Sequence, residues 1–345
     1  MANLFSDFSV EFLGLAAFVV GVVAGTVAAG WAGLLSEGPT WGVRCGECQR
    51  FHGLSILTLV GTLAVRSCAG CGNRRGWGRL WMELGTGLLF AAYIVAVGKL
   101  GAQRTPEVTP DLLWKYGRLA SHLVLIWLLV AATGTDFREY IIPDWITIPG
   151  MILGVGLAFG SGDVQIIHLW VDWNHSIPQL RGPFIPEWIQ HHRHWHGLAW
   201  SVAGLVAGGG LTWIARIISS IFLSQEALGF GDVTLMAMAG SFLGWQPIVF
   251  AFLLAPFCAI LVGVSAKLLF NTAYVPYGPY LSAAVFLVLV GWQWLWLFQP
   301  TETISVRHFF GDWQGLLILA GIAVAALCLL LGLLRLYRLI PGKRR

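Results

Sequence analysis

Charge is what this sequence has least of. Asp, Glu, Lys and Arg make up only 11% of its 345 residues, while 57% are hydrophobic; a soluble domain carries about 25% charged residues. Together with a mean hydropathy of +0.73 and 18 Trp, that scarcity excludes a soluble globular protein. It implies an all-α, polytopic membrane protein whose solvent is mostly lipid. A strong excess of one sign is also missing. The net charge of +4 reads as the loop Lys/Arg bias of a membrane protein and argues against a nucleic-acid partner. A basic region ahead of the first apolar run is absent: "MANLFSDFSVEF" carries acids instead. The run that follows is therefore expected to stay as a helix rather than be cleaved as a signal peptide. No internal repeat is visible.

What is present is a series of apolar runs, at about 12–35, 82–100, 119–134, 145–161, 197–222, 233–245, 247–269, 278–298 and 314–339. They predict about nine transmembrane helices, the run at 233–245 being short. Basic residues orient them. The loop 36–80 holds Arg44, Arg50, Arg66, Arg74, Arg75 and Arg79, and the C-terminal tail holds Arg335, Arg338, Lys343, Arg344 and Arg345. Both belong in the cytoplasm if the N-terminus faces outward and the number of crossings is odd. Arg104, Lys115 and Arg118 then face outward, against the rule. The expected organisation is a first transmembrane helix over 1–35, a cytoplasmic four-cysteine domain over 36–80, and a transmembrane core over 81–345. An extracytoplasmic insertion rich in Trp, Pro and His interrupts the core at about 162–196.

This topology brings two acidic segments to one side. In "TGTDFREYIIPDWITIPG" (133–150), Asp136 ends the third run, and Ile142-Pro143-Asp144 breaks the helix because Pro143 disfavours helix at the residue before it. In "LGFGDVTLMAMAGSFLGW" (228–245), Gly229, Phe230 and Gly231 precede Asp232. Glycines at such a place admit another chain close to the backbone. A charge in hydrocarbon costs roughly 2.5–3.5 kcal/mol even on the lenient scale. Two carboxylates meeting in a partly dry site divide into one that keeps a proton and one that activates water, the chemistry of aspartyl peptide hydrolysis. A lone interfacial Asp is also a common helix cap, and on the residues alone both readings stay open.

The loop 36–80 carries Cys45-x-x-Cys48 and Cys68-x-x-Cys71, with nineteen residues between the pairs. That pattern reads as a tetrahedral zinc site stapling a loop too short to build a core. Two disulfides are the rival reading and require the loop to lie outside, which its basic bias opposes. Cys258 and Cys328 lie within apolar runs as small buried hydrophobes. His191, His192, His194 and His196 fall within "QHHRHWHG"; they read as an interfacial Trp/His segment, with a metal site as the alternative.

Four segments carry a family resemblance. "GFGD" resembles the Gly-x-Gly-Asp signature of intramembrane aspartyl proteases, and "GFGDVTLMAMAGSFLGW" is similar in particular to type IV prepilin peptidases, the leader peptidase/N-methyltransferase family. "DFREYIIPDWITIPG" resembles that family's first catalytic segment. "VPYGPYLSAA" (275–284) resembles its late Pro-x-Gly-Pro stretch, and "WGRLWMELGTGLLFA" (77–91) the segment that supplies Glu83. The resemblance implies that Asp136 and Asp232 are catalytic and that Gly229, Gly231, Pro143, Asp144 and Glu83 shape the site. It also implies a zinc domain held by Cys45, Cys48, Cys68 and Cys71, and a bacterial inner-membrane location. The implied activity is endopeptidase cleavage of prepilin and pseudopilin leaders at the cytoplasmic membrane face, followed by methylation with S-adenosylmethionine. Two departures bear on the methyl transfer: "GVVAGTVAAGWAG" (21–33) lacks the family's Asn, and "RFHGLSILTLVGTLAV" replaces its pattern between the cysteine pairs. The alternatives are a Gly-x-Gly-Asp protease of signal-peptide remnants and a proton-coupled transporter using Asp136 and Asp232. The zinc loop and the Ile-Pro-Asp segment speak against the first, and the lack of repeats against the second. The sequence leaves the oligomeric state open.

Overall fold

In lipid the backbone must pair with itself, and helices are the local way to do so. The computed structural model describes residues 10–32, 43–44, 51–52, 78–108, 112–171, 186–223, 228–270, 276–299 and 305–311, with parts of 313–328. Its helices are α1 (Val10–Ala32), α2 (Gly78–Gly98), α3 (Leu112–Glu139), α4 (Asp144–Ser161), α5 (Glu187–His191), α6 (Arg193–Leu223), α7 (Phe230–Leu243), α8 (Trp245–Phe270), α9 (Gly278–Trp296) and α10 (Val306–Gly311). The described strands are a two-residue antiparallel pair, β1 (Val43–Arg44) and β2 (Phe51–His52), with Val43 opposite His52 and Arg44 opposite Phe51.

Six of these helices, α1, α2, α3, α4, α6 and α9, are long and apolar enough to cross a membrane. The chain is an all-helical, multi-pass membrane protein. The expected count of nine is reduced among the described residues for a physical reason. The 14 residues of α7 reach only about 21 Å, short of a hydrocarbon core of about 30 Å. In α8 the described apolar stretch is Trp245–Leu261. Most of 314–339, and the cysteines of 36–80, lie outside the described residues.

α7 is the centre of the bundle. Asp232, Val233 and every residue from Leu235 to Leu243 are buried, so its apolar character on all faces is that of an interior helix. α6 packs along it, α4 contacts both, α8 pairs with α9, and α9 reaches α3, on which α1 and α2 also lean. Backbone meets backbone where α6 crosses α7: a Cβ on Gly240 would collide with the carbonyl of Gly204, and one on Gly208 with that of Met236. Small residues give membrane helices this approach. Gly244, at φ 79°, ends α7, and the Trp200 ring fills the space where its Cβ would stand.

Successive membrane helices run in alternating directions. The C-terminal end of α3 and the N-terminal ends of α4, α7 and α9 therefore share one end of the bundle. The α3–α4 turn is built from Tyr140 at φ 55° and Pro143 at φ −81°, ψ 139°. The salt bridge Lys99–Glu11, at 2.7 Å, lies at the opposite end, where α2 finishes and α1 begins.

The α6–α7 contact predicts that Gly240→Ala costs about 1–3 kcal/mol by overpacking and that Gly240→Leu is worse. Thermal midpoints of the detergent-purified variants measure this; an unchanged midpoint for Gly240→Leu would refute the backbone approach.

Candidate active site

Asp136 lies in the last turn of α3 and Asp232 in the first turn of α7, and both are buried. Oδ2 of Asp136 accepts the backbone N–H of Gly278, at the start of α9, at 3.1 Å. Oδ2 of Asp232 accepts the backbone N–H of Gly229 at 3.0 Å. Among the described residues no protein hydrogen bond reaches Oδ1 of either aspartate. Each acid is thus oriented through one oxygen and keeps the other for water or substrate.

The two carboxylates belong to one site. The charge of Asp136 acts on Asp232, and Ile142 joins their supports. A Cβ on Gly231 would come to 2.9 Å from the Ile142 Cβ, and one on Gly278 would meet Asp136 Oδ2 at 2.5 Å and Ile142 Cδ1 at 2.9 Å. Gly278 is glycine because the carboxylate and Ile142 already occupy the space beside its Cα. Asp232 also fulfils the helix-cap reading, since its carboxylate closes the open N–H of Gly229 at the start of α7, where the macrodipole favours negative charge. Capping and chemistry coincide on one side chain.

Tyr277, immediately before Gly278, is T-shaped to Tyr280 with ring centroids 5.9 Å apart. Burial first, then the neighbouring charge of Asp232, push its phenol up to about 12. It therefore stays an O–H donor at any physiological pH. Residues 277–278 accordingly serve both acids, the amide of Gly278 holding Asp136 and Tyr277 lying within the field of Asp232.

The other expected residues sort by position. Pro143 is buried and N-caps α4, holding Ile142 against Gly231 and Gly278. Asp144, next along, is exposed in the first turn of α4. Glu83 is fully buried between α1 and α2 and accepts the Thr26 hydroxyl at 3.1 Å, with Gly25 of α1 against its Cα. These contacts join α1 to α2. Cys45, Cys48, Cys68 and Cys71 lie outside the described residues. The histidine segment diverges: His191 and His192 are exposed, His194 meets the Phe159 carbonyl at 2.8 Å, and His196 accepts the Leu169 N–H at 3.0 Å.

Sequence reasoning quoted the stretch around Gly278 but gave Gly278, Tyr277 and Ile142 no role. The available signal was a glycine locked between Pro276 and Pro279, a place where only a missing side chain permits close approach.

Residues 123–264 match the profile of the Type IV leader peptidase family, a span that contains both aspartates. Among curated proteins the chain is similar to the prepilin leader peptidase/N-methyltransferase of Aeromonas salmonicida (strain A449), 29% identical over 178 residues, covering 51% of this chain and 50% of that protein. The protein of the same name from Pseudomonas putida is 26% identical over 255 residues, 72% of this chain and 71% of that one. The one from Dickeya chrysanthemi is 27% identical over 264 residues, 72% and 75% respectively. The chain spans about half the length of the Aeromonas relatives it matches. No solved structure matches.

The Gly278 contacts predict that Gly278→Ala displaces Asp136 and lowers any catalysis by the two acids at least about 100-fold, the scale of loss expected when a reacting group is misplaced by about 1 Å. Overpacking also lowers the variant's thermal midpoint, by about as much as in Gly240→Ala, so activity is compared per folded protein. Activity within a few-fold of wild type would show that Gly278 does not position the acid.

Proposed function

We propose, on the premise that residues 123–264 belong to the type IV leader peptidase family, that this chain is a membrane-embedded aspartyl endopeptidase. Its substrates are prepilin and pseudopilin precursors in the bacterial cytoplasmic membrane. The observation that carries the reading is the pair of buried carboxylates, each oriented by a glycine N–H and each keeping one oxygen open. A water held between the two Oδ1 atoms attacks the scissile carbonyl. The ionised aspartate takes the water's proton while its neighbour donates one to the carbonyl oxygen, giving a gem-diol; as the C–N bond breaks, the proton gained passes to the departing amine and a gem-diol hydroxyl returns a proton to the neighbour. The peptide is cut and both acids return to their starting state. The substrate's leader is short and basic, and the apolar helix that follows it enters the bilayer beside the enzyme, with the cut just before that helix. Gly229 keeps the wall beside Asp232 low enough for an extended strand, while Gly231 admits Ile142.

Two accompanying groups belong to the same proposal. Zinc is held by Cys45, Cys48, Cys68 and Cys71. The donor set fits, since four thiolates in two C-x-x-C pairs make a closed structural site. The relatives' printed name includes an N-methyltransferase, and for such an activity in this chain S-adenosylmethionine is the methyl donor proposed; none of the described residues is assigned to it.

Co-expression with a prepilin tests the reading. Wild type is expected to shorten the precursor, and Asp136→Asn and Asp232→Asn each to leave it full length, a loss of at least about 1,000-fold for removal of half of an acid–base pair. Shortening by either variant would sink the aspartyl assignment. Mass spectrometry of the mature N-terminus reports the cut position together with the presence or absence of one added methyl group. Separately, metal analysis of the purified protein is expected to give about one zinc per chain, lost in the Cys45→Ser/Cys48→Ser variant. Equal zinc in both would refute the four-cysteine site.

A further inference from the structure

The end of the bundle away from the aspartates carries the three basic residues that defied the charge rule. Arg118, in the second turn of α3, is only 5% exposed, yet its Nε and Nη2 have no hydrogen-bond partner. Those two N–H groups form the side-on fork of a guanidinium, which takes two oxygens of one carboxylate or phosphate. No carboxylate among the described residues is ion-paired with it. A buried guanidinium fork without a protein partner is costly, and an anionic partner would offset that cost.

The surroundings are built and polar. His122 stands one turn further along the same face of α3 and within the field of Arg118. Its Nδ1 lies 2.7 Å from the Tyr93 hydroxyl and 3.3 Å from the Gln103 amide nitrogen. The amide can only donate, so Nδ1 accepts and the ring proton sits on Nε2. That Nε2–H is buried and also without a partner. Gln103 is fixed by a bond from its amide to the Leu289 carbonyl at 3.2 Å, and the loop that carries it is pinned to α9 by the Gln293 N–H on the Ala102 carbonyl at 2.7 Å. At the rim, Arg104 and Lys115 lie within reach of each other's charge. Asp163 also acts on Arg118.

We propose that Arg118 and His122, with Arg104 and Lys115 at the rim, form a binding site for a phosphate-type oxoanion at the end of the bundle remote from the two aspartates. The fork takes two oxygens of the anion, the His122 Nε2–H a third, and the rim cations attract it from the membrane surface. A lipid headgroup phosphate and a free phosphate share this chemistry.

The test uses the full chain purified in a phosphate-free detergent, with the thermal midpoint as readout and no reliance on peptidase activity. Inorganic phosphate is titrated against chloride at matched ionic strength, and dioctanoyl phosphatidylglycerol against dioctanoylglycerol. A saturable rise with phosphatidylglycerol alone assigns the site to a lipid headgroup; a rise with inorganic phosphate as well shows that the free ion suffices. Arg118→Lys keeps the charge but loses the fork, and is expected to weaken the binding at least about tenfold. Where that variant does not accumulate, Arg104→Gln/Lys115→Gln leaves the interior intact and is expected to weaken it several-fold. The proposal is overturned if wild type shows no saturable rise with either phosphate probe. It is equally overturned if Arg118→Lys, or the rim double variant in its place, binds as tightly as wild type.

Discussion

A backbone N–H can hold a carboxylate in a dry place where no water is at hand, and the candidate site rests on two such bonds. Gly278 holds Asp136 and Gly229 holds Asp232. An acid buried without a donor would cost several kcal/mol or be driven neutral. One buried with every oxygen satisfied would have nothing left to offer a substrate. The bonds through Oδ2 avoid both outcomes by orienting each acid while leaving half of it open. Both donors come from the first residues of helices, where N–H groups lack partners inside the helix. The fold therefore places the starts of α7 and α9 beside the end of α3, because that is where spare donors exist.

Bringing three helix ends so close requires that side chains be missing between them. Gly231 and Gly278 admit Ile142, whose placement follows from Pro143 and the positive φ of Tyr140. Farther along α7, Gly240 lets α6 approach to backbone contact, which keeps a helix too short to cross the membrane alone inside the bundle. The short helix is buried on all sides because longer neighbours span the membrane around it. The packing glycines and the site glycines thus serve one geometric end, the seating of α7 so that Asp232 faces Asp136.

The two acids and their common side were legible because charge in an apolar sequence is rare and costly, and because counting basic residues fixes the direction of each run. Pro143, Gly229 and Gly231 were legible as breaks and small residues next to an acid. Gly278 and Ile142 were not, since their roles arise only when α9 returns to α3 across more than a hundred residues of chain, and no local pattern encodes that meeting. Six of the nine expected spans are long and apolar enough among the described residues; α7 is not one of them, because hydropathy measures how apolar a run is but not whether protein or lipid surrounds it. Glu83 was quoted with the site segments; its Thr26 contact joins α1 to α2, a pairing that no local pattern announces.

The two ends of the bundle solve opposite problems with the same parts. At one end, acids buried in helix termini are held by backbone donors and keep open acceptor oxygens, an arrangement suited to water and a peptide carbonyl. At the other, Arg118 and His122 are buried with open donors, an arrangement suited to an anion. α3 runs between them, with Arg118 near its start and Asp136 near its end. Its macrodipole places partial positive charge beside the first and partial negative charge beside the second. Neither the buried arginine nor the buried aspartate is favoured by that field. Each is stable only through what it binds: a glycine N–H for Asp136, and at the other end an anion from outside the chain.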